Sequence, residues 1–407
     1  MRCGTANSYK HVKCYLVAFI VLLSFSCTFS PQYTFAQDSQ SQNLQEELSQ
    51  SIQESLSDLD LSEIEQYFAE NAEYYFNVFG FSNYREFLSA LIKGEILTDF
   101  SSVFSAILSS VKENLSVILS PLLLILVIVL VSVVFKNMRP KVNSSSVAEV
   151  IFFICFSVII SILTILFSNV LKSATLSITK MQNQMNSIFP ILLLLMTGAG
   201  ASISVKAYQP LVLLLSNLVS NVFVKILLPI VVVIFVLCLV GNISPQTKVK
   251  NLTDFFSSGF KWIIGIMFTI YMAFMSIQGI TASGADGISI KTAKYAIKNY
   301  IPMLGGYISD GFEVARVGSL IIKNAVGFSG IIIIVITIIS PIILIAVMQL
   351  SLKLIAGLVE PLSDNRASGL LSAVSKSLSL LMVVVIGVAI MYFIIIFLLM
   401  CSVSGVV

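Results

Sequence analysis

The chain is punctuated by apolar runs long enough to cross a lipid bilayer, and that limits its fold before any motif is read. A helical span needs about 20 predominantly apolar residues to cross a hydrocarbon core about 30 Å thick. Candidate runs lie at about 115–135, 147–171, 188–203, 211–240, 262–278, 328–350 and 378–401. Hydrophobic residues make up 57% of the chain and charged ones only 11%, with a mean hydropathy of +0.96. A soluble domain carries about 25% charged residues, so a water-soluble fold could not hide this much apolar surface. The expected class is all-α: a polytopic helical integral membrane protein with a small exported helical segment at its N-terminus.

Residues 1–36 have the parts of a secretory signal: basic Arg2, Lys10 and Lys13, an apolar stretch from Tyr15 to Phe29, and Thr34-Phe35-Ala36 as a small-x-small cleavage site. An uncleaved anchor helix is the other reading. Residues 37–114 follow as an acidic segment holding 14 of the 21 acidic residues against three basic ones, Arg85, Lys93 and Lys112. Leu44, Leu48, Ile52 and Leu56 recur every four residues there. Ser62 with Glu65 has the spacing of a capping box, followed by Ile64, Phe68 and Tyr75 at helical intervals. This amphipathic helical segment reads either as a partner-binding face or as helices resting on the rest of the protein or the membrane surface.

The remainder, 115–407, is the polytopic domain, with 18 Lys and Arg after Asn114 against seven acids. Lys136, Arg139 and Lys141, just after the first run, belong in the cytoplasm if basic loops stay inside. The next two runs then read as an outward and an inward span, and the second of them carries the small residues Gly198 to Ser202. The run 211–240 would be about 45 Å long if helical, too long for one upright span and too short for two. Lys225 and Pro229 interrupt it, and two readings stand: a tilted helix kinked at Pro229, or a re-entrant hairpin. The sidedness of every later loop depends on the choice. A polar, glycine-rich segment, 279–327, separates the spans around it.

Little side-chain chemistry suggests catalysis. The single histidine, His11, lies in the signal, which removes histidine-based nucleophile activation and most zinc or iron sites. No phosphate-binding glycine loop is present, and no Asp or Glu sits in the middle of a span as proton relays usually require. Cys155, Cys238 and Cys401 fall inside apolar runs and read as small buried residues rather than as a disulfide framework. The expectation is a protein that is not an enzyme, has no metal or other cofactor, and does not bind nucleic acid.

Two polar patches are candidates for function. Ser216 with Ser220, and Asn217 with Asn221, lie four residues apart on a helical face, with Lys225 a turn further on. Polar groups in hydrocarbon are costly, so the face meets water, as a pore or substrate lining, or another helix, with Lys225 reaching to the interface. Lys291, Lys294 and Lys298 form a basic stripe beside Ile290, Ala293, Ile297 and Ile301, suited to an anionic lipid surface or to docking a protein partner.

Around this stripe a more specific pattern appears: Phe260-Lys261-Trp262, Ser276-Ile277-Gln278-Gly279, Ala285-Asp286-Gly287, Lys291-Thr292-Ala293-Lys294, Ile301-Pro302, Gly305-Gly306 and Lys323-Asn324-Ala325-Val326-Gly327. In order and spacing it resembles the stage III sporulation protein AE family of endospore-forming bacteria, and the general plan matches over about residues 37–400. The resemblance implies a multi-pass protein of the mother-cell membrane facing the forespore. It would belong to the channel complex formed with the other stage III sporulation proteins, AA to AH, and support late forespore gene expression. No catalytic residues are implied. Two function classes follow: a non-enzymatic assembly or export-gate subunit, able to act as an oligomer, and a self-contained small-solute permease.

Overall fold

The computed structural model describes residues 145–243, 249–300, 305–361 and 365–402, together with 83–93, 118–131 and isolated positions among 61–66, 81, 108 and 112. The signal and its cleavage site, the 44–56 repeat, Phe68, Tyr75, the Lys136–Lys141 cluster and Pro302 lie outside the described residues. Eight helical segments are described: α1 Tyr84–Lys93, α2 Ile118–Val131, α3 Ser145–Gly198, α4 Ser202–Val222, α5 Leu228–Ile243, α6 Lys250–Tyr300, α7 Gly305–Val359 and α8 Asn365–Cys401. Among the described residues there is no strand. With α4 and α5 forming one rod, five helices are long and apolar enough to cross a membrane, and α2 is a shorter apolar helix. The protein is a multi-pass helical membrane protein.

Two expected spans, 147–171 and 188–203, are joined in one helix, because α3 runs unbroken from the first through most of the second and ends at Gly198. The intervening residues 172–187 are polar but contain neither Gly nor Pro, so nothing stops the helix. Their side chains are absorbed locally: Thr175 and Thr179 hydroxyls donate to the carbonyls of Leu171 and Thr175 at 2.9 and 3.1 Å, and Ser187 donates to Asn183 O at 3.2 Å. At 1.5 Å per residue the 54 residues of α3 extend about 81 Å, well beyond a hydrocarbon core.

The chain reverses at the small residues instead. Gly200 N–H bonds to Thr197 O and Ala201 N–H to Met196 O, both at 2.9 Å, and Gly200 has φ +86°. This is a Schellman ending, in which a left-handed residue turns two amides back onto the last carbonyls of the helix.

The 211–240 run is a single rod. Neither expected form describes it fully: there is no hairpin, and the irregularity is a π-helical turn at Phe223–Leu227 rather than a kink at Pro229 itself. Pro229 has no N–H to donate and its ring presses on the carbonyl four residues back, that of Lys225. Widening the helix just ahead of the proline relieves this, and Leu228 N–H bonds to Phe223 O, five residues back. The wider turn places Phe223, fully buried, against Gly387 of α8, where a Cβ would lie 3.1 Å from the ring.

The segment 279–327 is likewise not a separate surface unit. Residues 279–300 continue α6 and residues 305–327 open α7. The C-terminal helix α8 is the centre of the bundle: 67% of its most apolar window is buried, and it touches α3, α4, α5, α6 and α7. Tyr271 of α6 donates to Met391 O, Tyr392 donates to Ser216 O at 3.3 Å, and Phe167 stacks on Phe235 between α3 and α5 at 3.8 Å.

Two glycine substitutions test this account of the reversal. Gly200→Ala forces a Cβ into a left-handed position and should lower stability by about 1–2 kcal/mol. Gly265→Ala, where an added Cβ meets nothing within 4 Å, should be neutral or gain up to about 1 kcal/mol. Thermal unfolding of the two purified variants in one detergent checks the contrast, and equal midpoints would refute it.

Candidate functional site

Part of the sequence pattern, Asp286 with Lys323 and Gly327, gathers near the point where α3 gives way to α4. Helix α4 starts without a cap of its own, since Ala201 at the N-cap position supplies no side-chain hydrogen bond. Asp286, from the middle of α6, fills that role. Its Oδ1 accepts from Ile203 N–H at 3.0 Å and its Oδ2 from Ser204 N–H at 3.1 Å, and the residue is 1% exposed. A carboxylate there satisfies two otherwise orphaned amides and faces the positive end of the helix dipole. The α6 residue one turn on, Ile290, closes over Gly200, where a Cβ would lie 3.0 Å from Ile290 Cγ1. From the α7 side, Ser319 Oγ approaches Gly198 so closely that a Cβ would lie 2.9 Å away.

Lys323, buried completely on α7, donates through Nζ to Met400 O at 2.8 Å, in the last turn of α8. A cation at a helix C-terminus is the counterpart of Asp286 at an N-terminus. Gly327, one turn on, makes room for Met400, whose Cγ would be 2.5 Å from an added Cβ. Asn324 is partly buried and its Oδ1 has no hydrogen-bond partner. Just beyond, Gln184 of α3 donates to Gly330 O at 2.7 Å, and Tyr84 of α1 shares a hydrogen bond with Ser329 Oγ at 2.8 Å. Burial pushes the Tyr84 phenol above its ordinary range, so it meets Ser329 as a neutral hydroxyl.

Other members of the pattern do not join this junction. Gln278 and Gly279 lie on the helical backbone of α6, Gly287 follows Asp286, and Gly305 and Gly306 open α7. The two charged residues at the junction both act on backbone groups, so the cluster fixes helix ends and presents no reacting group.

The Ser/Asn stripe is divided. Ser216 and Ser220 are buried, whereas Asn217, Asn221 and Lys225 are exposed. Ser220 Oγ donates to Gln182 Oε1 at 2.6 Å and Gln182 Nε2 donates to Asn217 Oδ1 at 3.3 Å, which ties α4 to α3. Asn217 and Asn221 also donate to carbonyls of their own helix, Leu213 O at 2.9 Å and Asn217 O at 2.8 Å. Sequence reasoning missed Gln182 and Gln184 because their polar stretch read as a loop between two spans.

The basic stripe lies near the end of the α6–α7 pair. Lys291 and Lys298 are exposed, while Lys294 is half-buried and ion-paired with Glu313, whose other oxygen takes Arg316 Nη1 at 3.0 Å. In the N-terminal segment, Glu65 pairs with Arg85 at 2.8 Å.

Replacing Asp286 by Ala should remove two hydrogen bonds to a charged group and destabilise the protein by about 2–4 kcal/mol. Asp286→Asn, which keeps one acceptor oxygen, should fall between. Thermal unfolding in detergent measures both, and an Ala variant as stable as the parent would show that the cap carries no weight.

Comparison with known proteins agrees with the pattern from which this junction is built. No solved structure matches the chain. The stage III sporulation protein AE of Bacillus subtilis (strain 168) is 28% identical over 249 residues, an alignment covering 61% of this chain and 62% of that protein. The chain thus spans about three-fifths of the length of that relative. The family model for stage III sporulation protein AE matches residues 82–403, from just before α1 to just after the central helix α8. The chain belongs to the stage III sporulation protein AE family.

Proposed function

We propose that this protein is a non-enzymatic membrane subunit of the channel complex that stage III sporulation proteins build between mother cell and forespore, acting in assembly or as an export gate. The observation that carries this reading is the outward polar face of α4. Asn217, Asn221 and Lys225 lie along a rod otherwise apolar enough to span a membrane, and they point away from the chain's own core. A polar face at that depth calls for another polar surface. Ser216 and Ser220, which would have to line a passage inside a self-contained permease, are instead buried, Ser220 Oγ bonded to Gln182 of α3 and the Ser216 carbonyl taking the Tyr392 hydroxyl of α8. A polar conduit or contact therefore forms between this chain and a neighbouring subunit.

Orientation follows the same reading. Helix α1, within the segment read as exported, docks on α7 at Ser329, towards the end that holds Gly200 and Asp286. The basic cluster Lys136–Lys141 comes shortly before α3 in the sequence, and α3 itself starts at the end of the bundle opposite Gly200. The Gly200 end thus faces the exported side, and the end that holds Ile243, Lys250, Val359 and Asn365 faces the mother-cell cytoplasm. Lys291 and Lys298 then stand on the exported side, available to other proteins of the complex or to lipid.

Two experiments test this. In a chain lacking Cys155, Cys238 and Cys401, Asn221→Cys should cross-link to another subunit in sporulating cells, whereas Ser220→Cys should not. Cross-linking confined to the chain itself, with strong labelling of Asn217→Cys and Asn221→Cys by an impermeant thiol reagent in the lipid-reconstituted single protein, would promote the permease reading. Replacing Lys291, Lys294 and Lys298 together by Gln should lower recovery of partner proteins several-fold at unchanged protein level. Normal sporulation and normal co-purification in that variant would remove the stripe from the interface.

A further inference from the structure

At the end of the bundle away from Gly200, helices α5, α6, α7 and α8 enclose a cavity of about 920 Å³. Along α8 its wall runs from Ser372 to Ile390, about 27 Å at the helical rise per residue. The lining changes character along that length. Around the start of α6 it is cationic, with Lys250, Lys261, Lys353 and Lys376 against one acid, Asp254. Deeper in it is apolar, with Ile234, Ile264, Phe268, Val383, Ile386 and Ile390.

Three features make the cationic part a receptor for negative charge. Among the described residues, Lys250, Lys261 and Lys376 form no ion pair, so their charge is not already used. Val249, Lys250 and Thr253, at the start of α6, form part of the wall, and that first turn carries no acidic residue to offset the positive end of its helix. The wall is also held in place: Gln349 Nε2 donates to Ser379 Oγ at 2.8 Å, and Ser375 Oγ donates to Gln349 O at 3.3 Å, fastening α7 to α8 beside the lysines.

We propose that this cavity binds one anionic glycerophospholipid, with its phosphate among Lys250, Lys353 and Lys376 and an acyl chain along the Phe268 to Ile390 wall. The occupant must satisfy both ends at once. A free phosphate leaves the long apolar wall against water, and a zwitterionic lipid brings an ammonium group into a site already rich in positive charge. Only a molecule with an anionic head and a hydrocarbon tail matches the whole length, and basic pockets between membrane helices are suited to such headgroups. This site is separate from the Lys291–Lys298 stripe and does not depend on the channel reading.

The test uses the full chain, purified and delipidated in mild detergent, with native mass spectrometry after addition of phosphatidylglycerol or phosphatidylcholine. One phosphatidylglycerol per chain should be retained and phosphatidylcholine should not. Binding should weaken about fivefold for each of Lys250→Gln, Lys353→Gln and Lys376→Gln, the equivalent of roughly 1 kcal/mol per basic residue near anionic lipid. Lys376→Glu, at an exposed position, guards against misfolding: it should keep the lipid-free melting temperature of the parent and lose the adduct. The Lys291, Lys294 and Lys298 triple Gln variant should retain it. Equal retention of the two lipids, or undiminished phosphatidylglycerol binding by Lys376→Glu, would overturn the proposal. So would inorganic phosphate raising the melting temperature as far as phosphatidylglycerol does, which would reassign the cavity to a free anion.

Discussion

A helix end inside a bundle of apolar helices is an electrostatic problem, and this protein places side chains from other helices at two such ends. The N-terminus of α4 presents amides that Ala201 cannot satisfy, and Asp286 reaches them from α6. The last turn of α8 presents the Met400 carbonyl, and Lys323 reaches it from α7. Each buried charge thereby gains the partner without which burial would be prohibitive. Because the donors and acceptors come from different helices, solving the problem also assembles the fold. Asp286 ties the α3–α4 reversal to α6, and Lys323 ties α7 to the central helix.

The close approaches around Gly198, Gly200 and Gly327 serve the same end. Asp286 can reach Ile203 only if α6 comes in close to the reversal, and Ile290 over Gly200 shows how little space is left. Lys323 can reach Met400 only if α7 and α8 nearly touch, which Gly327 permits. In membranes, where lipid tails are as apolar as Leu, such small-residue contacts and interhelical hydrogen bonds replace hydrophobic burial as the force that joins helices. Of the sequence pattern, Asp286, Lys323 and Gly327 thus serve the packing of one junction.

Much of the class was legible in the sequence, because a membrane demands long apolar runs and those survive any rearrangement of the helices. The family was legible as well, because a pattern of short pieces in a set order and spacing can be read along the chain without knowing how its helices pack. Continuity was not. Residues 172–187 look like a loop by polarity, yet polarity alone does not end a helix in the absence of Gly or Pro, and Gln182 and Gln184 find partners in α4 and α7. The role of Asp286 was hidden because its partners lie 82 and 83 residues away along the chain. Periodicity placed Ser216, Asn217, Ser220 and Asn221 on one face, but a face about 100° wide can straddle the edge of a helix contact, which is where this one lies.

That edge position bears on how the rod formed by α4 and α5 is used. The π turn begins two residues after Asn221 and contains Lys225, so the polar face and the helix irregularity are adjacent. Extra width in the turn lets Phe223 seat on Gly387 while Lys225 stays on the outer side, where the core cannot receive it. In a regular α-helix the Lys225 carbonyl would press on the Pro229 ring with no donor to meet it, and losing the extra residue of the wide turn would rotate every residue beyond it by about 100° around the axis. The irregular turn therefore keeps two different demands in register: α5 presents Phe235 to the Phe167 stack on α3, and α4 presents Ser220 to Gln182 on the same helix. Polar residues at the outer edge of such a fixed contact are held in place by the packing behind them, which is the condition for a second subunit to read them as a surface.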